Sequence, residues 1–438
     1  MKQQSDGDEQ IIICCPSCSQ QYEIELEMLG EEAVCQKCGT AFALRIGDFA
    51  PKESPMQQTK ACPYCGEAIL ALAKKCKHCG EFLDAELRIK DEKKRELRSN
   101  NPINMTMSFV RWFTGLPRME GFRLFGLCKA TFMRHNKEEL DILFCSGSAD
   151  STPDINQVAS AWPMPWVCWR FLFAAMVVTG LFILGVHKFE NFLIFPGLII
   201  VGAFTIPLTC LLLFHEMNVL RNVPLYRTLH HIVTGGIVSF LIAMTIWNTT
   251  IGKQLLSFFD AMSAGIIEEI AKFLAALFFL WRIPGRKWTI QGMLVGAAVG
   301  TGFAGFETAG YCFVALMNDG DDPLAAFYGT MAVRGIFSPF CHVAWTALSV
   351  GAVSGEIKDN KFSFGKIFNW RVLRILLFSV FLHMLWNSGL HWYSNDWNVT
   401  AWGILLSFIG CWQALLMMIQ KGLTEIKTAQ NNHITASN

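Results

Sequence analysis

The chain has 438 residues, of which 52% are hydrophobic and only 17% are charged, and its net charge is +1. This composition excludes a disordered or highly charged protein, and the balanced charge gives no sign of a nucleic-acid binder at the level of the whole chain. Residues 1–100 hold dense charge and nine of the sixteen cysteines, whereas residues 166–420 consist mostly of apolar runs. The sequence therefore predicts a small soluble head on a membrane protein that crosses the bilayer several times.

The first ten residues are polar and acidic, and they lack the apolar core of a secretory signal peptide. We therefore expect the head in the cytosol, where cysteine pairs bind metal more often than they form disulfides. The cysteines form two tandem sets of paired Cys-x-x-Cys motifs, the spacing of zinc ribbons, which predicts one ribbon over residues 1–50, a second over 51–85 and one structural Zn²⁺ in each. The predicted ligands are Cys15, Cys18, Cys35 and Cys38 in the first ribbon and Cys62, Cys65, Cys76 and Cys79 in the second.

Two alternatives concern the head. Cys14 adjoins Cys15, and Cys15 is preferred because it restores the two-residue gap. Redox-active Cys-x-x-Cys motifs are the other interpretation of the pattern. Ribbons of this size serve to bind a protein or a nucleic acid, and the sequence does not distinguish the two.

About 20 apolar residues are needed to cross a bilayer as a helix. This criterion predicts a polytopic α-helical membrane protein with about eight transmembrane helices. Residues 86–165 form a charged linker and juxtamembrane region, residues 166–420 the eight-helix domain, and residues 421–438 a polar tail. The predicted spans are 166–187, 191–214, 229–250, 257–281, 289–317, 325–353, 370–394 and 400–420, with Pro339 bending the sixth.

The loops between these spans alternate in charge. Loops 215–228, 282–288 and 354–369 carry lysine or arginine, whereas loop 318–324 is acidic and loop 395–399 has no basic residue. Basic loops face the cytosol, so both termini are expected in the cytoplasm and the protein in the cell membrane, plasma or inner.

Ionisable side chains inside a bilayer are costly and mark functional sites. Nearly all of them fall on the fourth to seventh predicted spans, which favours one shared polar site. Glu268 and Lys272 are four residues apart and can pair, while Glu269 addresses the neighbouring helix face. These side chains are Glu268, Glu269, Lys272, Glu307, Arg334, His342 and His383, together with Asn387.

Two further spacings point to protein-facing positions. Gly292, Gly296 and Gly300 form a stripe of small residues that allows a second helix to approach closely, and Glu307 nearly continues it. His383 and Asn387 are four residues apart, so the amide can orient the imidazole. Such a site suits water chemistry or ion transfer.

The motif order resembles that of a known family. Glu268-Glu269-x-x-Lys272, Phe303-x-x-x-Glu307, a separate His342 and His383-x-x-x-Asn387 are similar to the motifs of PrsW-type intramembrane proteases, within the CAAX-protease and bacteriocin-processing superfamily. The resemblance covers roughly residues 200–420. Two features depart from it: Asn387 stands where the PrsW pattern usually has aspartate, and the first predicted spans show no feature that matches the family. The zinc head is an addition outside the pattern.

The resemblance implies hydrolysis of peptide bonds in a membrane-protein or peptide substrate, such as an anti-sigma factor. It implies a catalytic role for Glu268, Glu269, Glu307, His342, His383 and Asn387, supported by Lys272 and Phe303. We favour a glutamate as general base on water, with a histidine and Asn387 as oxyanion donors. A catalytic divalent metal held by glutamate and histidine is the alternative mechanism, although the sequence has no His-Glu-x-x-His motif.

Two other classes of function remain open at this point. Buried Glu, His and Lys also build the relays of ion- or proton-coupled transporters, which often show an internal repeat that this sequence lacks. A non-catalytic membrane scaffold that recruits partners through its zinc ribbons would leave the buried charges unexplained. Convergence of the acids and imidazoles in space is the observation that favours the protease.

Overall fold

The computed structural model divides into two compact units, Met1–Asn100 and Asn101–Asn438. It describes residues 10–18, 20–25, 28–44, 59–63, 67–78, 82–84, 86–87, 89, 102–148, 150–250, 258–317, 322–337, 341–358, 363–392 and 397–437.

The first unit consists of antiparallel β-hairpins. β1 pairs with β2 so that Ile13 lies opposite Tyr22, and β3 pairs with β4 so that Ala33 lies opposite Phe42. In the third hairpin, Ile69 is buried. Hairpins this short bury little apolar surface and depend on a further staple such as a metal. The strands are β1 Gln10–Cys14, β2 Gln21–Glu25, β3 Glu32–Val34, β4 Ala41–Ala43, β5 Thr59–Ala61 and β6 Ala68–Leu70.

Among its described residues, the second unit is built from helices joined by irregular segments. Its helices are α1 Pro102–Thr114, α2 Gly126–Lys129, α3 Lys137–Cys145, α4 Val167–Phe189, α5 Phe195–Met217, α6 Leu225–His230, α7 Gly236–Thr250, α8 Phe258–Arg282, α9 Thr289–Leu316, α10 Pro323–Phe337, α11 His342–Glu356, α12 Phe364–Ile367, α13 Trp370–Trp392 and α14 Trp397–Ser437.

Helix α9 is the centre of this unit. The apolar stretch of α9 is 94% buried, whereas that of α4 is only 6% buried, so α9 is enclosed by protein while α4 lies at the periphery. Helices α5, α8, α10 and α11 all contact α9. Helix α11 approaches α9 closely, because the glycine stripe removes the side chains that would separate the two backbones. A Cβ on Gly296 would lie 2.4 Å from the Thr346 carbonyl oxygen, and one on Gly300 would lie 2.5 Å from that of His342.

The membrane assignment rests on length and apolarity. Within the described residues, five segments are long and apolar enough to cross a bilayer: Val167–Phe189, Phe192–Met217, Leu225–Thr249, Thr289–Leu316 and Ile404–Asn432. The predicted fourth and seventh spans are the long helices α8 and α13, which carry Glu268, Glu269, Lys272 and His383. A polytopic helical membrane protein is therefore the fold class. Helix α14 runs beyond the predicted span 400–420, as far as Ser437.

The predicted sixth span, residues 325–353, is not one helix. It is divided between α10, which ends at Phe337, and α11, which begins at His342. Cys341, directly before α11, has the non-helical backbone angles φ −107° and ψ −136°. A proline favours such a division because it has no amide hydrogen to continue the helix, and the predicted bend at Pro339 itself lies outside the described residues. The division places His342 in the first turn of a helix instead of in the middle of a span.

Candidate active site

Four helices bring their charged side chains to one buried cluster. Helix α8 contributes Glu268, Glu269 and Lys272, α9 contributes Glu307, α11 contributes His342 and α13 contributes His383. All six side chains are buried, and Lys272 has no exposed surface at all. Buried charges of this kind are stable only when they are paired, and most of these side chains are paired with one another.

Lys272 links the two sides of the cluster. Its ammonium donates to Glu269 Oε1 at 2.5 Å and to His342 Nδ1 at 2.7 Å. Glu269 Oε1 also accepts a hydrogen bond of 2.8 Å from His383 Nδ1. Since a carboxylate accepts only, Nδ1 is the protonated nitrogen of His383, and Nε2 of the neutral ring carries a lone pair.

Glu307 holds the second imidazole. Its Oε2 accepts from His342 Nε2 at 2.9 Å and from the guanidinium of Arg334 on α10. Because Nε2 of His342 donates, its Nδ1 is the acceptor of the hydrogen bond from the Lys272 ammonium. The two imidazoles are thus held in defined tautomers by carboxylates behind them, an arrangement that also orients metal-binding histidines.

Glu268 is the exception in this network. Its Oε2 is buried and has no hydrogen-bond partner among the described residues. The same oxygen lies 3.6 Å from His383 Nε2 and 3.8 Å from His342 Nδ1. Glu268 Oε2 and the two imidazole nitrogens are all acceptors, so none of them can donate a hydrogen bond to another. Such a group of acceptor atoms favours a water molecule or a cation between them.

Aromatic rings close the cluster on its apolar side. The Phe303 ring lies 4.6 Å from Lys272 Nζ in a cation–π contact and 5.1 Å from the His342 ring. The Trp345 ring stacks on His383 with centroids 4.5 Å apart. These rings keep water away from that side, which strengthens the electrostatic interactions inside.

The model of the PrsW family of intramembrane metalloproteases matches residues 224–418. Residues 224–418 are PrsW-like. The resemblance predicted from the motif order is thereby confirmed, and the matched segment contains every residue of the buried cluster. The family description makes intramembrane peptide hydrolysis the activity that the match supports. No curated protein and no solved structure matches the chain.

One contact of the PrsW-like cluster differs from the predicted one. Lys272 pairs with Glu269, three residues away, instead of Glu268, four residues away. Both spacings lie on one helix face, and the pairing with Glu269 brings the ammonium to His342. The nitrogen Nδ1 of His383 is bound by Glu269, and Asn387 follows one turn further along α13.

Sequence reasoning counted Arg334 among the charges of the shared site without giving it a role, and it gave Trp345 no role. The signal for Arg334 was present, since it is an arginine inside an apolar segment, but its partner could not be inferred without the path of α10. Trp345 follows His342 by three residues and therefore shares its helix face. A tryptophan in an apolar helix carries no signal that separates stacking on a histidine from packing in the core.

The family description implies a metal ion, and the residues fit one. Ligand atoms of Glu268, His342 and His383 all lie within 4.8 Å of one another. Two imidazoles and one carboxylate form a donor set of catalytic zinc sites, and carboxylates behind both rings match the usual outer shell. One contact competes with a metal, because Lys272 already occupies Nδ1 of His342.

In the head, the four sulfur atoms of the first predicted ribbon lie together. The sulfurs of Cys15, Cys18, Cys35 and Cys38 are all within 4.8 Å of one another, which fits one tetrahedral zinc ion and favours Cys15 over Cys14. The Tyr22 hydroxyl donates to Cys35 Sγ at 3.1 Å, and this hydrogen bond lowers the pKa of the Cys35 thiol to about 6.

The second predicted ribbon is described only in part. Cys62 and Cys76 are both buried and pack with Ile69 in one small cluster. Cys65 and Cys79 lie outside the described residues.

Proposed function

We propose that this protein is an intramembrane endopeptidase of the glutamic type, in which Glu268 is the general base that activates water. The observation that carries the proposal is the unpartnered, buried Glu268 Oε2, which faces two imidazoles. A carboxylate that is engaged by cations, such as Glu269 or Glu307, is a poor proton acceptor. Among the described residues, Glu268 is the one carboxylate of the three with a buried oxygen that lacks a hydrogen-bond partner.

The tautomers support a place for the attacking water. Glu268 Oε2 and His383 Nε2 are both acceptors, 3.6 Å apart, and a water molecule can donate one O–H to each. Its oxygen lone pair is then directed away from the protein toward a substrate carbonyl. Orienting the nucleophile in this way supplies part of the rate enhancement before any bond changes.

The reaction then balances with protein groups alone. Glu268 takes a proton from the water as the oxygen forms a bond to the carbonyl carbon, and the carbonyl oxygen becomes negatively charged. When the tetrahedral intermediate collapses, the C–N bond breaks and Glu268 returns the proton to the leaving nitrogen. Asn387 is the proposed amide donor to the oxyanion. In its neutral tautomer His383 only accepts at Nε2, so it can donate to the oxyanion only when it is protonated.

A second mechanism is favoured by the donor set of Glu268, His342 and His383. A divalent metal bound there would polarise water and the substrate carbonyl as a Lewis acid. In that case Glu269 and Glu307 keep their role of fixing the two imidazoles, and Lys272 is left with Glu269 as its partner. The proposed reaction is the same, and only the source of activation differs.

The setting of the reaction is part of the proposal. We propose a single-span membrane protein or a membrane-bound peptide as substrate, an anti-sigma factor being the example that the resemblance suggests. Both termini are proposed to lie in the cytoplasm and the protein in the cell membrane, with the zinc ribbons as a module that binds a protein or nucleic acid.

The test is cleavage of a reporter library of single-span membrane proteins by the purified protein in proteoliposomes. The Glu268→Gln variant, which keeps the shape of the side chain and removes its basicity, is expected to lose at least about 100-fold in kcat. Glu190→Gln, an exposed position outside the cluster, is the matched control. Cleavage that survives in Glu268→Gln at the wild-type rate would overturn the proposal.

A chelator separates the two mechanisms. If Glu268 acts alone, dialysis against a chelator leaves the cleavage rate unchanged as long as the protein remains folded by gel filtration. Because a chelator also removes zinc from the predicted ribbons, Cys35→Ser and Cys76→Ser are the controls. If both retain cleavage, loss of wild-type cleavage that returns with added Zn²⁺ would replace the glutamic mechanism by the metal-assisted one.

A further inference from the structure

Arg334 is a largely buried cation that the proposed mechanism leaves without a role. It lies in the last turn of α10, the helix that ends at Phe337. Only 16% of its side chain is exposed, and its guanidinium binds Glu307 Oε2. Holding an arginine at this position is costly unless its charge is used.

We propose that Arg334 is a positioning residue for the peptidase reaction, which acts through Glu307 on the tautomer of His342. This inference rests on the proposed function. Arg334 and His342 both donate to the same oxygen, Glu307 Oε2. The carboxylate therefore has a fixed orientation in which only Nε2 of His342 can donate to it.

The fixed tautomer determines what faces Glu268. With the proton on Nε2, Nδ1 of His342 presents a lone pair to Lys272 and lies 3.8 Å from Glu268 Oε2. If the proton moved to Nδ1, that nitrogen would compete with Lys272 as a donor, and the ammonium would be displaced. Arg334 thus keeps the acceptor nitrogen of His342 in place without touching it. It acts through two successive hydrogen bonds, its own to Glu307 and that of His342 to Glu307.

Other contacts hold the guanidinium itself. Its Nε donates to Thr308 Oγ1 at 3.3 Å, and its Cζ lies 4.2 Å from the centre of the Tyr311 ring. Both partners are on α9, as is Glu307, so these contacts of the arginine on α10 all come from one helix. A planar guanidinium can satisfy a carboxylate, a hydroxyl and a ring face together, which a lysine cannot.

The alternative is that Arg334 touches the substrate. A small cavity beside the cluster is lined by Arg334, His342 and Trp386 among others, so a substrate group could enter there. The two roles predict different kinetics. A substrate contact changes KM and is independent of Glu307, whereas a positioning residue changes kcat and depends on Glu307.

The experiment is a double-mutant cycle on the cleavage assay, with Arg334→Gln, Glu307→Gln and the double variant in proteoliposomes. We expect Arg334→Gln to lower kcat by about 10- to 100-fold with KM unchanged, the usual effect of losing a group that orients a reactive histidine. Arg334→Lys should recover part of the rate. The double variant should be no slower than Glu307→Gln alone, because Arg334 has nothing left to position.

Two further variants protect the result against misfolding. Thr308→Val removes one contact of the guanidinium and should lower kcat mildly, while Arg282→Gln, on the exposed end of α8, should leave it unchanged. Each variant is compared by gel filtration and thermal unfolding in detergent. If Arg334→Gln unfolds, Thr308→Val and Arg334→Lys each replace it in the double-mutant cycle with Glu307→Gln.

The outcomes are distinct from those of the parent proposal. Absence of any Glu268-dependent cleavage in the wild type rejects the proposed function. Glu268-dependent cleavage with full activity in Arg334→Gln rejects only the role of Arg334. Losses that multiply in the double variant, or a rise in KM, would assign Arg334 to the substrate instead.

Discussion

Lys272 on α8 donates a hydrogen bond of 2.7 Å to Nδ1 of His342 on α11, and this contact joins the two halves of the buried cluster. One half is Glu269 with His383, and the other is Glu307 with Arg334. The carboxylates, the imidazoles and the two basic side chains form a continuous chain of hydrogen bonds across five helices. Glu268 Oε2 stands outside this chain, as the proposed role of a general base requires.

The first prediction concerns the ammonium that joins the halves. Lys272→Met leaves Glu269 as a buried carboxylate without its cation, so we expect the free energy of unfolding to fall by about 3–5 kcal/mol. Cleavage should be lost as well, because His342 loses the donor at Nδ1. Unfolding in detergent and the cleavage rate are the measurements.

A second substitution separates stability from activity at this position. Lys272→Met combined with Glu269→Gln removes both charges, so much of the stability should return while the activity stays low. Recovery of cleavage in the double variant would mean that Lys272 serves only to balance the charge of Glu269.

The second prediction concerns the distance between α9 and α11. Gly300→Ala places a Cβ 2.5 Å from the carbonyl oxygen of His342, so α11 must shift and carry the imidazole with it. A displacement of about 1 Å at a reacting group can cost about 100-fold in rate. We expect that loss in kcat, with a stability cost of about 1–3 kcal/mol from overpacking.

Gly310 on the same helix provides the matched control. A Cβ there meets no atom within 4 Å, so Gly310→Ala should leave the cleavage rate unchanged. Equal loss of activity in both variants would show that the effect comes from the glycine itself and not from the approach of α11.

Much of this architecture follows from the sequence. Apolar runs predict the long helices, and the spacing of Gly292, Gly296 and Gly300 predicts a close helix contact, which α11 makes. The order of the motifs identifies the acids and imidazoles that lie together in the buried cluster. These features could be predicted because each depends on periodicity along one helix.

The partners of the charged groups could not be predicted in the same way. Lys272 can reach Glu268 or Glu269 from its own helix, and the choice depends on where α11 and α13 place their histidines. The division between α10 and α11, where the sequence predicts one continuous span, decides the positions of Arg334 and His342. Pairing across helices is a property of the assembled bundle, which no single segment encodes.

The third prediction concerns the start of α4. The Glu216 carboxylate accepts backbone N–H groups of Trp166, Val167 and Cys168 at 2.7, 2.9 and 2.9 Å, and so caps the first turn of that helix. Because each is a hydrogen bond to a charged group, Glu216→Ala should lower the free energy of unfolding by at least about 2 kcal/mol. The folded fraction should retain its cleavage rate. A loss of kcat without loss of stability would assign Glu216 a role in the reaction.

The last prediction concerns metal content and distinguishes the two mechanisms. If the head holds two ribbon zinc ions and Glu268 acts alone, elemental analysis of the full-length protein should give two zinc ions per chain. Cys35→Ser and Cys76→Ser should each lower the number by one, since each removes a ligand from a different predicted ribbon. His383→Ala should leave it at two.

A third ion that disappears in His383→Ala would establish a metal in the buried cluster, because this substitution removes one of the three ligands that converge there. A single zinc ion in the wild type that disappears in Cys35→Ser would instead reject the second ribbon. It would also mean that the buried cluster holds no metal.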